Sequence, residues 1–341
     1  MTNQKRLMLL LIISGFISNL SSNDWTWSYR KKFNEEETKK LSDKPNIIYS
    51  KVQVPQYNQL IFSWNAIRPK KGYFSFYVQP RYAITKTWGE WYKMADWGAR
   101  VQKSYCILKD GDTSFMYVRL ELPHGKLADG FRLKIEPQKG ANLSNLRLIS
   151  VCVSDFSKFS PENIDQFDQL PPVDIEGIVK KSQMLLNHSH NNKMCSPTST
   201  CMLVSFLTKK YINPLSFALK VYDNGLQAYG SWPFNIAHAF ERCLSYYFRV
   251  IRLGSFIDLH KYLSNGTPVV VSVRGKMDGA PLEYNKGHLI LIKGWDSKTK
   301  EVICHDPAFD DNSLVEHRYD ISSFLRAWER SHRLAYVAEK Q

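Results

Sequence analysis

The pattern of hydrophobic and polar positions changes near the middle of the chain. Between residues 47 and 153, apolar residues alternate with polar ones, most clearly at 116–122 and 131–136. A period of two is typical of strands that bury one face. Short segments rich in Gly, Asp, Lys and Pro separate the alternating runs, as turns between strands do. We therefore predict an antiparallel β-sandwich domain over residues 47–153.

After residue 173 the apolar positions recur at helical spacing, as in Met202, Leu203, Phe206 and Leu207. Ser255, with Asp258 three residues later, resembles the capping box that begins a helix. Apolar strand segments follow at 269–273, 289–292 and 302–304. Helices that precede a sheet in this way predict an α+β domain over residues 173–341.

Three other segments differ from these two domains. Basic residues, an apolar run and small polar residues follow one another in 1–22, the order of a secretory signal peptide. The run is too short to span a bilayer, and no later segment is long enough, so we expect an exported protein without a transmembrane segment in its mature form. Residues 23–46 are predicted to form a polar tail or a short solvated helix, and 154–172 a polar linker.

Composition narrows the possible partners. The chain has 341 residues, is 43% hydrophobic and has a net charge of +14, which excludes wholesale disorder and favours anionic partners such as a cell-envelope polymer. The basic residues are dispersed, so specific nucleic-acid binding is not expected. The six cysteines form no CxxC pair, and a structural zinc site is therefore not predicted.

The first candidate for chemistry is Cys195, which comes two residues before Pro197. Because proline is favoured in the first turn of a helix, Cys195 should lie at a helix amino terminus. The free N–H groups and the helix dipole there favour a thiolate. Cys195 is therefore a candidate nucleophile, and the alternative is a buried structural cysteine.

The second candidate pairs His288 with Asp306. A hairpin that closes symmetrically about Ser297 would pair residue 292 with 302 and residue 288 with 306. Directly opposed side chains on one face have Cβ atoms about 4.5–5.5 Å apart. This register would let the carboxylate orient the imidazole, as in a nucleophile–base–orienter triad. Gln183 is a weaker candidate, whose amide could donate to an oxyanion.

Several blocks in the second half, taken in order, resemble the bacterial C39-like peptidase domains, which are papain-like cysteine peptidases. The similarity covers about residues 177–338 and rests on these blocks: Ser182-Gln183-Met184, Cys195-Ser196-Pro197-Thr198-Ser199, Tyr229-Gly230-Ser231-Trp232-Pro233-Phe234-Asn235, Thr267-Pro268-Val269-Val270-Val271-Ser272, Gly279-Ala280-Pro281-Leu282, Gly287-His288-Leu289 and His305-Asp306-Pro307-Ala308. The β-rich first half also resembles, less specifically, a domain that often precedes this one.

The resemblance implies a papain-like fold and the hydrolysis of peptide or protein substrates through a thioester acyl-enzyme, without a metal or cofactor. It assigns Cys195 as nucleophile, His288 as base and acid, Asp306 as its orienting residue and Gln183 to the oxyanion hole. The cleft candidates are Trp232, Asn235 and Gly287, although helix capping and packing explain Trp232 and Asn235 equally well. Between Gln183 and Cys195, the chain departs from the family in an unusually polar loop.

Two alternatives use the same residues differently. A transglutaminase-like acyltransferase would use the same triad with an amine acceptor in place of water. An inactive binding protein of the cell envelope would retain the fold and bind its ligand through the aromatic sandwich. The sequence does not separate these alternatives from a peptidase.

Overall fold

A computed structural model describes residues 24–110 and 113–341, with side chains described outside 107–117. The predicted signal peptide at 1–22 lies outside the described residues. Among the described residues, no helix combines the length and the apolar character needed to cross a membrane.

The first half of the described chain is an antiparallel β-domain with one short helix. Its elements are β1 (Thr26–Lys32), α1 (Glu35–Lys40), β2 (Ile47–Tyr57), β3 (Gln59–Ala66), β4 (Tyr73–Tyr82), β5 (Tyr92–Gly98), β6 (Gln102–Asp110), β7 (Thr113–Tyr117), β8 (Arg119–Glu121), β9 (Ala128–Gln138) and β10 (Leu146–Ser154). The strand order is β1-β10-β3-β8-β7-β6-β5-β4-β9-β2.

The first domain has the two facing layers of a sandwich. Strands β3 and β4 lie five positions apart in the sheet order, yet Trp64 of β3 stacks on Phe76 of β4 with 4.0 Å between ring centroids. Phe62 also contacts Phe76 across the same interior. The sheet therefore folds over so that its alternating apolar residues fill the space between two layers, which confirms the predicted antiparallel sandwich.

The predictions for the flanking segments were wrong in part. Thr26–Lys32 is an edge strand paired with β10, not a polar tail, and Trp25 and Phe33 on either side of it are buried. An edge strand pairs with a neighbour on one side only and tolerates charged side chains. Its sequence can therefore lack the apolar alternation by which strands are predicted. The predicted linker also packs against the second domain, since Phe167 is buried in that domain's core.

The second half of the chain is an α+β domain built on a seven-stranded sheet. Its elements are β11 (Val173–Asp174), α2 (Cys195–Thr208), α3 (Pro214–Val221), α4 (Trp232–Arg242), β12 (Tyr246–Arg252), α5 (Phe256–Ser264), β13 (Val269–Gly275), β14 (Tyr284–Asp296), β15 (Glu301–His305), β16 (Glu316–Asp320), α6 (Ile321–Glu329) and β17 (Leu334–Lys340). The order is β12-β17-β13-β14-β15-β16, with β11 beside β14. The expected α+β domain is confirmed.

The two domains meet where β12 forms the edge of the second sheet. The Asn65 amide donates to the Phe248 carbonyl at 2.7 Å and accepts from the Phe248 N–H at 2.8 Å. Ser63 Oγ accepts from the Val250 N–H at 3.1 Å. Side chains of β3 therefore satisfy backbone groups that an edge strand leaves unpaired, and this fixes the two domains against each other.

The hairpin predicted about Ser297 forms with a different register. The prediction paired Ile292 with Val302, whereas the structure pairs Ile292 with Cys304. The turn is centred later than predicted, and a β-bulge between Ile292 and Gly294 takes up one residue. The net shift at Ile292 is two residues.

The shift moves Asp306 away from the position directly opposite His288. Strand β15 ends at His305, so Asp306 lies just beyond the strand. Because side chains alternate with a period of two, a shift of two residues keeps a side chain on the same face. The two side chains meet diagonally instead of as a directly opposed pair.

Candidate active site

Cys195 is the first residue of α2, as its distance from Pro197 predicts. Two side chains of α2 fix this end of the helix to the sheet. Ser199 Oγ donates to the Leu289 carbonyl at 2.8 Å, and Ser196 Oγ lies 3.0 Å from the Tyr336 hydroxyl. The half-buried Cys195 thiol is thereby held beside β14.

The Cys195 thiol and the His288 imidazole interact directly. Burial alone would raise the pKa of the Cys195 thiol, but the adjacent His288 and the backbone N–H groups of Leu289 and Ser196 lower it further than burial raises it. Burial alone would likewise lower the pKa of His288, whereas Asp306 and the Cys195 sulfur raise it to about 10. The charges on sulfur and imidazole therefore stabilise each other.

The Asp306 carboxylate is fully buried and contacts His288. Its Oδ1 lies 2.8 Å from His288 Nε2 and accepts from the Ala308 N–H at 2.9 Å. Its Oδ2 accepts from the hydroxyls of Tyr284 at 2.6 Å and Tyr319 at 2.8 Å. Burial by itself would raise the pKa of Asp306, but His288, the Tyr284 hydroxyl and the Ala308 N–H lower it, so the carboxylate stays ionised. With Nε2 bound to Asp306, Nδ1 of His288 is left for the thiol.

A wide bulge in β14 brings Tyr284 against His288. Between the pairs Val273–His288 and Gly275–Tyr284, β14 advances four residues and β13 only two. The Tyr284 ring consequently stacks on the imidazole, with 4.1 Å between centroids and 15° between planes. Gly287, inside the bulge, has a φ of +87°, which glycine adopts without the strain that a side chain would add.

Gln183 lies in the same cleft as Cys195 and His288. Its backbone N–H donates to the Pro307 carbonyl at 2.8 Å, which ties it to the segment that carries Asp306. Its Nε2 donates to the Asn191 carbonyl at 3.1 Å. An amide nitrogen has two N–H groups, and the Asn191 carbonyl accepts from one of them.

The polar loop between Gln183 and Cys195 is held by its own hydrogen bonds. The Asn191 amide donates to the Met184 carbonyl at 2.8 Å, and His188 Nδ1 accepts from the His190 N–H at 3.0 Å. Asn192 and Lys193 at its end line the cleft. The loop therefore forms one wall of the cleft beside Cys195.

The structure separates the three cleft candidates. Trp232, at the beginning of α4, and Gly287 both line the cleft. Asn235 is fully buried, and its amide donates to the carbonyls of Tyr229 at 2.9 Å and Ser231 at 2.8 Å. These bonds hold the segment that enters α4, and Asn235 is not brought to the cleft wall.

The cleft has a volume of about 880 Å³ and runs between the domains. One part of it, here called the thiol end, contains Gln183, Cys195, Trp232 and His288. The other part, called the arginine end, is lined by Arg252, Arg274 and Arg330 of the second domain. Arg119 of the sandwich domain pairs with Glu121 and lies over the Trp232 ring.

Sequence reasoning missed Tyr284 and Tyr319, which both bind Asp306. Tyr284 lies four residues before His288 on the same strand, and an even spacing that shares a face could have identified it. Tyr319 comes from β16, whose pairing with β15 has no comparable signal in the sequence.

Comparison with known families bears on the second domain. Residues 175–336, just under half of the chain, match the model of the Peptidase_C39 like family. The second domain therefore has a cysteine-peptidase type of fold. No curated protein matches the chain significantly.

Two solved structures are similar to the chain. A proposed C39-like peptidase from Bacillus anthracis is 15% identical with a TM-score of 0.39, over 50% of this chain and 98% of that one. Xylellain, a cysteine protease from Xylella fastidiosa, is 11% identical with a TM-score of 0.34, over 54% of this chain and 91% of that one.

Proposed function

We propose that this protein is an exported cysteine peptidase that hydrolyses peptide bonds with Cys195, His288 and Asp306. The observation that carries the proposal is the pairing of a thiol at a helix amino terminus with an imidazole whose other nitrogen binds a buried carboxylate. This is the arrangement that activates a sulfur nucleophile near neutral pH.

The reaction follows from these positions. The Cys195 thiolate attacks the carbonyl carbon of the scissile bond, and the oxyanion accepts hydrogen bonds from the Cys195 backbone N–H and Gln183 Nε2. The His288 imidazolium then donates its proton to the departing amine, which leaves a thioester on Cys195. Neutral His288 removes a proton from water, the resulting hydroxide attacks the thioester, and the acid product and the thiol are released.

Export rests on the sequence of residues 1–22 alone, with its basic residues, apolar run and small polar residues. Expression of the full chain, followed by amino-terminal sequencing of any protein outside the cytoplasm, tests this part. A chain that keeps residues 1–22 and stays in the cytoplasm would contradict export without affecting the proposed chemistry.

The first test of the chemistry is a peptide-library digest with the protein and its Cys195→Ala variant. Wild type should cleave a subset of peptides, and the variant should lose turnover completely because no other group can form the thioester. Retention of cleavage by Cys195→Ala would overturn the assignment. Added amines that appear in the products in place of water would indicate acyl transfer.

Cys201→Ala is the matched control, since this cysteine lies six residues further along α2 and is buried away from the cleft. Burial raises the pKa of Cys201 to about 12, so it supplies no thiolate near neutral pH. The control should lose some stability, as a buried cysteine replaced by a smaller residue does, and should keep its turnover.

A further inference from the structure

The arginine end of the cleft has more positive charge than its neighbours neutralise. Six Lys or Arg and two Glu are found among the described residues that line the whole cleft. Within the described part of the chain, Arg252, Arg274 and Arg330 have no carboxylate partner at ion-pair distance, whereas Arg333, next to them, binds both Glu162 and Glu329.

Arg252 is buried, and its hydrogen bonds go to neutral groups. Its guanidinium donates to the Gln59 amide oxygen and to the carbonyls of Ser331 at 2.6 Å and His332 at 2.7 Å. Burial lowers the pKa of Arg252 to about 10, and burial with three nearby arginines lowers the pKa of His332 to about 4. Glu121, which also lines the cleft, acts on Arg252 in the opposite direction without forming an ion pair with it. The remaining positive charge makes this part of the cleft unfavourable for a further cation.

The three arginines lie near Ser331 in the chain or in the sheet, and the exposed Arg274 donates from Nε to the Asn285 carbonyl at 3.2 Å. Arg252 binds the Ser331 carbonyl, and Arg330 is the preceding residue. Ser272 Oγ donates to Ser331 Oγ at 3.1 Å, and Arg274 lies two residues beyond Ser272 on β13. The Arg330 guanidinium also lies across Gly275, over the position that a Cβ would occupy.

The sheet register gives the separation of the two ends. Arg252 pairs with Leu334 on β17, the pairing of β17 with β13 places Ser272 beside Leu334, and Ser272 pairs with Leu289, next to His288. Three strand spacings of about 4.8 Å place the Cα of Arg252 about 14 Å from that of Leu289. An extended peptide covers this distance in about four residues, and Arg274, closer to His288, would be reached sooner.

We propose that Arg252, Arg274 and Arg330 form an anion subsite that binds a carboxylate of the peptide substrate two to four residues from the scissile bond. The inference rests on the proposed peptidase function and adds a substrate class to it. Guanidinium groups bind carboxylates through charge-assisted, often bidentate hydrogen bonds. The unpaired positive charge also attracts acidic peptides into the cleft.

The test uses a cleaved peptide in which a single Glu or Gln is placed at each position up to five residues on either side of the scissile bond. At one or two positions within two to four residues of that bond, Glu should raise kcat/KM about tenfold over Gln, the lower range for a hydrogen bond to a charged group. Peptides that end there as a free acid or an amide distinguish a chain-end carboxylate from a side-chain carboxylate.

The variant Arg274→Gln/Arg330→Gln should reduce the Glu-to-Gln ratio to about one to three. Arg326→Gln is the control, because it removes the same charge from an exposed side chain of α6 that does not line the cleft. This control should retain the tenfold ratio. Equal cleavage of Glu and Gln peptides by wild type, or an equal loss of the ratio in Arg326→Gln, would overturn the subsite.

A binding measurement separates failure of the subsite from failure of the peptidase function. The Cys195→Ala protein is titrated with fluorescent Glu and Gln peptides, and Kd is read from anisotropy. A tenfold tighter Glu peptide supports the subsite even if wild type cleaves nothing, and equal Kd values at all positions contradict it. Absence of turnover in wild type counts only against the proposed function.

Discussion

The two ends of the cleft differ in how their buried charges are paired. At the thiol end, each buried charge has a partner: the Cys195 sulfur faces His288, and His288 faces an Asp306 carboxylate that accepts four hydrogen bonds. At the arginine end, Arg252 is buried against neutral acceptors. A balanced set of charges is suited to moving a proton within the protein, whereas an unbalanced set is suited to binding an ion from outside.

This difference explains the opposite pKa shifts of the two histidines that line the cleft. Burial by itself lowers the pKa of both, but Asp306 and Cys195 raise that of His288 to about 10, whereas nearby arginines add to burial and bring that of His332 to about 4. The local charges, and not the depth of burial, determine which histidine is protonated near neutral pH.

The largest effect on the thiol end, after removal of the sulfur, should come from Asp306→Asn. The amide is similar in size but has no charge to hold the imidazolium and can fix the wrong tautomer, so kcat should fall about 10³–10⁴-fold. Steady-state kinetics on the best peptide measure this. Asp310→Asn, at an exposed position nearby, is the control and should stay within twofold of wild type. A loss below tenfold in Asp306→Asn would rule out the orienting role.

A smaller but more direct effect should appear in alkylation of Cys195 and Cys201. Because the pKa of Cys195 is lowered and that of Cys201 is raised to about 12, iodoacetamide at pH 7 should modify Cys195 at least about 100-fold faster. Labelling should rise with pH through the lowered pKa of Cys195. Turnover should fall above about pH 10, where His288 loses its proton. Mass spectrometry of peptides follows each site.

Alkylation also tests whether the two ends are independent. Arg330→Gln should label Cys195 within threefold of the wild-type rate, since the imidazole and not the arginines stabilises the thiolate. His288→Asn should slow labelling at least tenfold. Equal slowing in the two variants would mean that the arginine end sets the thiol pKa, and the comparison between the ends would then be wrong.

The smallest effect should come from Tyr284→Phe, which keeps the ring stacked on His288 and removes one donor from Asp306. Loss of a hydrogen bond to a buried charge should lower the free energy of unfolding by about 1.5–3 kcal/mol, as measured by denaturant titration. Turnover should decrease about three- to tenfold. Tyr319→Phe also removes a donor from Asp306 but leaves the stacked ring in place, so it should lose similar stability and less activity. A larger loss of turnover in Tyr319→Phe than in Tyr284→Phe would contradict a positioning role for the Tyr284–His288 stack.

Sequence patterns of a few residues predicted those parts of the site that lie within a single helix or strand. The helix amino terminus at Cys195 and the capped helix after Ser255 follow from the residues at their ends, and α2 and α5 have these starts. The strand pattern around His288 was equally clear. The hairpin register was two residues away from the observed one, because a bulge and a later turn leave little trace in a hydrophobic pattern.

The sequence by itself determined the two domain types, a thiol at the beginning of a helix, and an imidazole and a carboxylate on one face of a ribbon, because these depend on neighbours within a few residues. Only the tertiary structure decided that Tyr284 and Tyr319 hold Asp306, that an edge strand completes the sandwich, and that arginines from β12, β13 and the residue after α6 line one cleft. Those contacts join residues far apart in the chain, and their formation depends on how strands register and sheets pack, which no local pattern specifies.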